Sequence, residues 1–138
     1  MRAALNIGSR KYIPSNLAVE LALQGDVMYS QKMNLEALLS SGLYKVLIYN
    51  GALDLICGAP LTERYVPLLA WPGQAGWNAS PKNIWWDTAQ PGAVSGYSRS
   101  FGNLNHVIMR GAGHMAPFDQ PQRSLDLITR FVEGQPFN

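Results

Sequence analysis

The sequence predicts an α/β fold. Two short, almost wholly apolar runs, YKVLIYNG at 44–51 and NHVIMRG at 105–111, each pass into a glycine-bearing loop. Each loop leads on to a helical pattern, and the last of these, DQPQRSLDLITRFVEG at 119–134, is the clearest helix in the chain. Brief apolar runs closed by glycine suit strands covered on both faces. Strands alternating with helices give a sheet flanked by helices.

The elements follow in order. MRAAL at 1–5 reads as a short helical piece. IPSNLAVELALQGD reads as a helix capped by Ser15, with Leu17, Leu21 and Val19 or Ala18 as its apolar stripe and Gly25 as its end. SQKMNLEALLSSG repeats the pattern, with Ser30 as cap, Met33, Leu35, Leu38 and Leu39 apolar, and Gly42 as the stop. YKVLIYNG is the first strand, ended by Gly51. Residues 52–69 read as a loop entering a short helix. Residues 70–92, rich in Trp, Pro and Gly, read as loop with one short strand at Ile84–Asp87, and AVSGYSRSFG pairs with it as a hairpin. NHVIMRG is the second buried strand. In the final helix Asp119 is the expected cap and Pro121 lies in the first turn. Leu125, Ile128, Phe131 and Val132 form the expected stripe, and Gly134 the end.

Composition narrows the function. Apolar residues make up 47% and charged residues only 14% of the 138, which suits a segment that is mostly interior or interface. A net charge of +2 without a basic run gives no support to a nucleic-acid partner. No apolar stretch approaches the roughly 18 residues of a membrane span. The opening MRAALNIGSRK lacks the apolar core of a signal peptide. A single cysteine, Cys57, rules out a disulfide within the chain. Two histidines, one cysteine and no ligand spacing do not support a metal site. His106 reads as a polar strand-end residue. Asn78-Ala79-Ser80 is a glycosylation sequon, followed by Pro81. Trp71, Trp77, Trp85 and Trp86 read as packing residues of the 70–92 stretch, because tryptophan carries a large apolar area.

The chemistry concentrates at the two strand ends. Asp54 follows the first strand and His114 the second, where α/β sheets place their active-site loops. Each alone has a plainer reading: an aspartate bonding its own turn, and a solvated loop histidine. Together, in the order acid then histidine, they form the second half of the Ser…Asp…His order of α/β-hydrolases. Histidine titrates near neutrality and can relay a serine proton, and a carboxylate on its other nitrogen fixes the tautomer. Gly111 and Gly113 are expected to let the backbone turn the ring inward. No serine lies in a G-x-S-x-G frame. Ser95 in GAVSGYS has the wrong spacing and falls between acid and histidine.

The strings YKVLIYNGALDLICGAPLTERYV and VIMRGAGHMAPFDQPQRSLDLITRFVEGQPF, with RAALNIG and DVMYS before them, resemble the C-terminal part of the serine carboxypeptidases. The resemblance spans essentially the whole chain and is weakest over 70–92. It implies that residues 1–138 are the C-terminal segment of an α/β-hydrolase domain, an incomplete parallel sheet with flanking helices and a small hairpin insertion. It implies release of C-terminal residues from peptides through an acyl-enzyme, no cofactor, and a lysosomal, vacuolar or secreted location. Asp54 then matches the acid of Y-x-G-x-x-D and His114 the base of G-x-G-H-M. Met115 matches a position lining the pocket for the departing residue, and Cys57 a free cysteine near the substrate. Ordinary apolar packing is the alternative for both. The family's G-E-S-Y-A-G segment, its oxyanion-hole glycines and a tryptophan–cysteine motif are absent from these residues. The expected partners are peptide C-termini and the nucleophile-bearing part of the same enzyme. The other reading is an inactive remnant that binds a partner through an open sheet edge.

Overall fold

The computed structural model describes residues 6, 8–11 and 13–137. The helical reading of residues 1–5 lies outside them. The described residues fall into two compact units, divided after Gln31.

The first unit carries helix α1 (Leu17–Leu23). Asn16, not Ser15, caps it: the Asn16 side chain accepts from the Ala18 and Val19 N–H groups. Ser15 instead donates to Glu20 at 2.5 Å. The expected stripe is not buried, since no residue of α1 is.

The second unit is a four-stranded sheet with helices on both faces. Its elements are α2 (Lys32–Ser41), β1 (Val46–Gly51), α3 (Ala59–Tyr65) with a 3-10 turn at Val66–Leu68, α4 (Gln74–Ala79), β2 (Asn83–Trp86), β3 (Val94–Phe101), β4 (Leu104–Met109), α5 (Ala116–Asp119) and α6 (Pro121–Glu133). The strand order is β1-β4-β3-β2. Only β1 and β4 run parallel. The hairpin β2–β3 continues the same sheet by antiparallel pairing of β3 with β4. The expected parallel sheet with a separate insertion is thus one mixed sheet.

Alternation along the strands sends side chains to two cores. Val107 and Met109 face a cluster with Trp85, Ala112, Leu127 and Phe137 beneath α6. Leu104 faces the opposite cluster with Leu39, Val66, Leu69 and Trp77, joined by Val46 and Ile48. The tryptophans divide accordingly. Trp77 and Trp85 are buried and Trp71 packs at the core edge, whereas Trp86 stays exposed. Trp85 also donates to Asp126 on α6 at 2.9 Å and meets Phe137 edge-on. It thereby ties the hairpin to the last helix. Helix α4 was hidden from the sequence by its glycine and short length, and the burial of Trp77 holds it in place.

Helix α6 corrects two expectations. Asp119 does not cap it; that carboxylate accepts instead from the Gly113 N–H at 2.7 Å. The buried side is Ser124 and Leu127, with Phe131 partly covered, while Leu125, Ile128 and Val132 are exposed. The apolar arc of the helix, from Leu127 through Phe131 and Ile128 to Val132 and Leu125, is wider than the sheet covers, and the sheet takes the end bearing Leu127 and Phe131. Gly134 ends it as expected, in the left-handed conformation at φ 72°.

Truncation at the two leucines separates these faces. In this chain Leu127→Ala should cost about 3 kcal/mol through lost packing and a residual cavity, and Leu125→Ala less than about 0.5 kcal/mol. Urea midpoints of the two variants measure the difference.

Candidate active site

The parallel pairing of β1 with β4 builds the site. Gly51 and Met109, the last residues of the two strands, stand opposite each other. The loops that follow therefore leave the sheet side by side. They are stitched together at once: Ala52 N–H donates to the Met109 carbonyl and Leu53 N–H to that of Ala112, both at 2.9 Å. Gly51 is required by this approach. A Cβ there would lie 2.2 Å from the Gly113 carbonyl oxygen and 2.4 Å from that of Ala112.

This juxtaposition brings Asp54 and His114, sixty residues apart in sequence, together: His114 Nδ1 lies 3.1 Å from Asp54 Oδ2. The other carboxylate oxygen, Oδ1, accepts the N–H groups of Ile56 at 2.8 Å and Cys57 at 2.9 Å. These bonds are those of an Asx turn, so the plain reading of Asp54 as a turn residue holds for one of its oxygens. The second oxygen is left to the imidazole. The Cys57 N–H bond holds the carboxyl below its ordinary range, helped by Ile56 and His114 and opposed by burial. The Asp54 side chain is only 5% exposed, and that of His114 is 49% exposed. With Asp54 ionised, His114 Nδ1 carries the proton and donates it, so Nε2 is left as a base.

The histidine loop is held by α6 and the turn before it. Gly111 makes the sharp turn expected of it, in the left-handed conformation at φ 74°. Gly113 does not; its contribution is the N–H given to Asp119 and the carbonyl packed on Gly51. Gln120 donates to the Gly111 carbonyl and Arg123 to that of Arg110, each at 3.0 Å.

The remaining expected residues differ in placement. Cys57 is an exposed thiol, and its sulfur and the donor atoms of Asp54 and His114 lie within 4.8 Å of one another. The fold thus gathers three donors that sequence spacing did not reveal. Asp54 already receives Ile56, Cys57 and His114. Met115 is 64% exposed, so neither it nor Cys57 is engaged in core packing. Asn78 lies exposed on α4, not in a loop, and its amide donates to the Pro67 carbonyl at 3.3 Å.

Two residues central to the site escaped the sequence. His106 is not a strand-end surface group but is 5% exposed, and Asn50 is 7% exposed. His106 Nε2 stands 2.9 Å from Asn50 Oδ1, and the Asn50 amide donates to the Cys57 carbonyl at 2.7 Å. The available signal was a polar residue inside each of two mostly apolar strands, on the face shared with Ile48 and Leu104. Burial pushes His106 down to about 4, with Lys82 and Arg99 lowering it further and Glu63 opposing them.

A sequence profile described as serine carboxypeptidase matches residues 1–134. The chain belongs to the serine carboxypeptidase family. It is 40% identical over 137 residues to a venom serine carboxypeptidase of Apis mellifera, covering 99% of this chain and 28% of that protein. It is 38% identical over 135 residues to the probable serine carboxypeptidase CPVL of Homo sapiens, covering 98% and 28%. The chain thus spans little more than a quarter of the curated relatives it matches. The crystal structure of Kex1, a prohormone-processing carboxypeptidase from Saccharomyces cerevisiae, superposes with a TM-score of 0.76 at 24% identity, over 88% of this serine carboxypeptidase chain and 26% of that one. The shared fold is that of the α/β-hydrolases.

Two measurements probe the site's construction. Gly51→Ala should cost about 2 kcal/mol by forcing the loops apart, and should abolish the downfield Nδ1 proton resonance of His114 in the NMR spectrum. His106 has a lower affinity for protons folded than unfolded, so stability should fall as pH drops from 6.5 to about 4 and level off below that. The expected loss is about 3 kcal/mol, and His106→Gln should remove it, as read from urea midpoints at pH 7 and pH 4.

Proposed function

We propose that this chain is the acid-and-base segment of a serine-type carboxypeptidase, and that residues 1–138 belong to one α/β-hydrolase domain. The observation that carries the reading is the Asp54–His114 contact of 3.1 Å at the ends of adjacent parallel strands, in a chain of this family.

His114 Nε2 takes the proton of a serine hydroxyl supplied by residues outside this chain, and that oxygen attacks the carbonyl of the last peptide bond. The imidazolium gives the proton to the departing amine, leaving an acyl-enzyme. Water, deprotonated by the same nitrogen, then attacks the acyl carbonyl, and the imidazolium returns that proton to the departing serine oxygen as the shortened peptide is released. Asp54 orients the ring and steadies its charged form throughout. Met115 and Cys57, both exposed beside the pair, contact the substrate. The substrates are peptide and protein C-termini, and the other partner is the nucleophile-bearing part of the enzyme. Among the described residues β1 is paired only on its β4 side, and its other edge is where that part would extend the sheet. No cofactor enters this chemistry. Asn78 serves as a glycan acceptor, and the enzyme works in a lysosome, in a vacuole or outside the cell. These 138 residues by themselves do not hydrolyse peptides by this route, for they contain no G-x-S-x-G.

The same open edge, together with exposed apolar residues in the loops beyond the strands such as Leu55 at 97% and Phe118 at 82% exposure, also suits an inactive partner-binding remnant. Labelling of the natural full-length product with a serine-directed fluorophosphonate separates the two. Labelling lost in His114→Ala is the expected result. Labelling undiminished in that variant, or absent from the parent, would count against the enzyme.

A further inference from the structure

The buried pair Asn50 and His106 is unusual for its place. Both point to the sheet face that Ile48 and Leu104 line with apolar side chains. Polar groups there must find partners or cost stability. They find each other, and one further atom, the Cys57 carbonyl.

The hydrogen-bond roles follow by elimination. The Asn50 nitrogen donates to a carbonyl, so its oxygen faces His106 and accepts. His106 Nε2 is therefore the protonated nitrogen. The acceptor at the far end belongs to the residue whose N–H donates to Asp54 Oδ1 at 2.9 Å. Fixing the carbonyl of Cys57 thus fixes the peptide segment that clamps the Asp54 carboxylate. At the loop's other end, Ala52 and Leu53 are tied to the histidine loop. Within 54–57, the Asp54 end is also held by its N–H bond to the Gly51 carbonyl at 3.2 Å and by His114, whereas Asn50 ties the Cys57 end to β1.

The geometry points to Asn50 and His106 as positioning residues. They form a buried relay, from the His106 ring through the Asn50 amide to Cys57, that aims the Asp54 carboxylate at His114. The relay joins the chain's only two histidines, one structural and one facing substrate. It rests on the catalytic reading of Asp54 and His114 given above.

The test uses the natural full-length product and the rate of fluorophosphonate labelling, corrected for the folded fraction. Asn50→Asp keeps the shape and the His106 bond but cannot donate to Cys57. It should label about tenfold to a hundredfold slower than the parent, the range expected when a reacting group is misplaced by an ångström. In an Asp54→Asn background the same change should have no further effect, because Asn50 acts through Asp54. A merely structural role would slow both backgrounds alike or neither. If Asn50→Asp does not fold, the His106 variants carry the test. His106→Gln, which retains a donor, should label like the parent, and His106→Leu should not. A folded Asn50→Asp at the parental rate, an additive effect with Asp54→Asn, or equal rates for the two His106 variants would overturn the relay. Full labelling of Asp54→Asn would instead remove the catalytic reading on which it rests.

Discussion

Backbone packed directly on backbone at Gly51 is the contact from which the rest of this structure follows. The ends of β1 and β4 approach so closely that the Gly113 and Ala112 carbonyls occupy the space of a side chain at position 51. Parallel strands place their loops at one rim of the sheet, but only an approach this close lets a short aspartate side chain reach an imidazole on the neighbouring loop. The bonds from Ala52 and Leu53 then hold the separation of the two loops. Position 51 also ends β1, so one residue sets both where the strand stops and how near its neighbour comes.

The acid is built by division of labour within one carboxylate. Two N–H groups saturate Oδ1 and hold the group ionised, so that Oδ2 is committed to His114 alone. The lowered proton affinity of Asp54 keeps the pair intact until the pH falls below the usual carboxylate range. Acid acts on His106 earlier, because its burial disfavours the charged form. The two effects occupy different pH windows, and both weaken the molecule as protons are added.

The apolar surface follows the same pattern. Leu53, Leu55 and Ile56 in the acid loop, and Met115 and Phe118 after the histidine, are exposed. The elements that flank the pair thus present oily surface around a polar centre, which excludes water once covered and strengthens the electrostatics within. The low charged fraction of the sequence, 14%, agrees with so much uncovered apolar surface.

Local sequence determined the elements whose cause is local. The strands at 46–51 and 104–109, the hairpin around Ile84–Trp86, the left-handed ends at Gly42 and Gly134, and the positions of Asp54 and His114 after their strands were all legible in the pattern of apolar residues and glycines. Periodicity places the broad apolar face of α6 but not which edge of that face meets the sheet, so Leu125, Ile128 and Val132 stay exposed while Leu127 is buried. Local sequence favours Asp119 as the cap of α6, but its carboxylate takes the distant Gly113 N–H instead. The single mixed sheet, the need for glycine at 51, and the burial of Asn50 and His106 depend on which strands become neighbours. Strand neighbourhood is decided by burying two cores at once, a property of the assembled chain that no short window of residues contains.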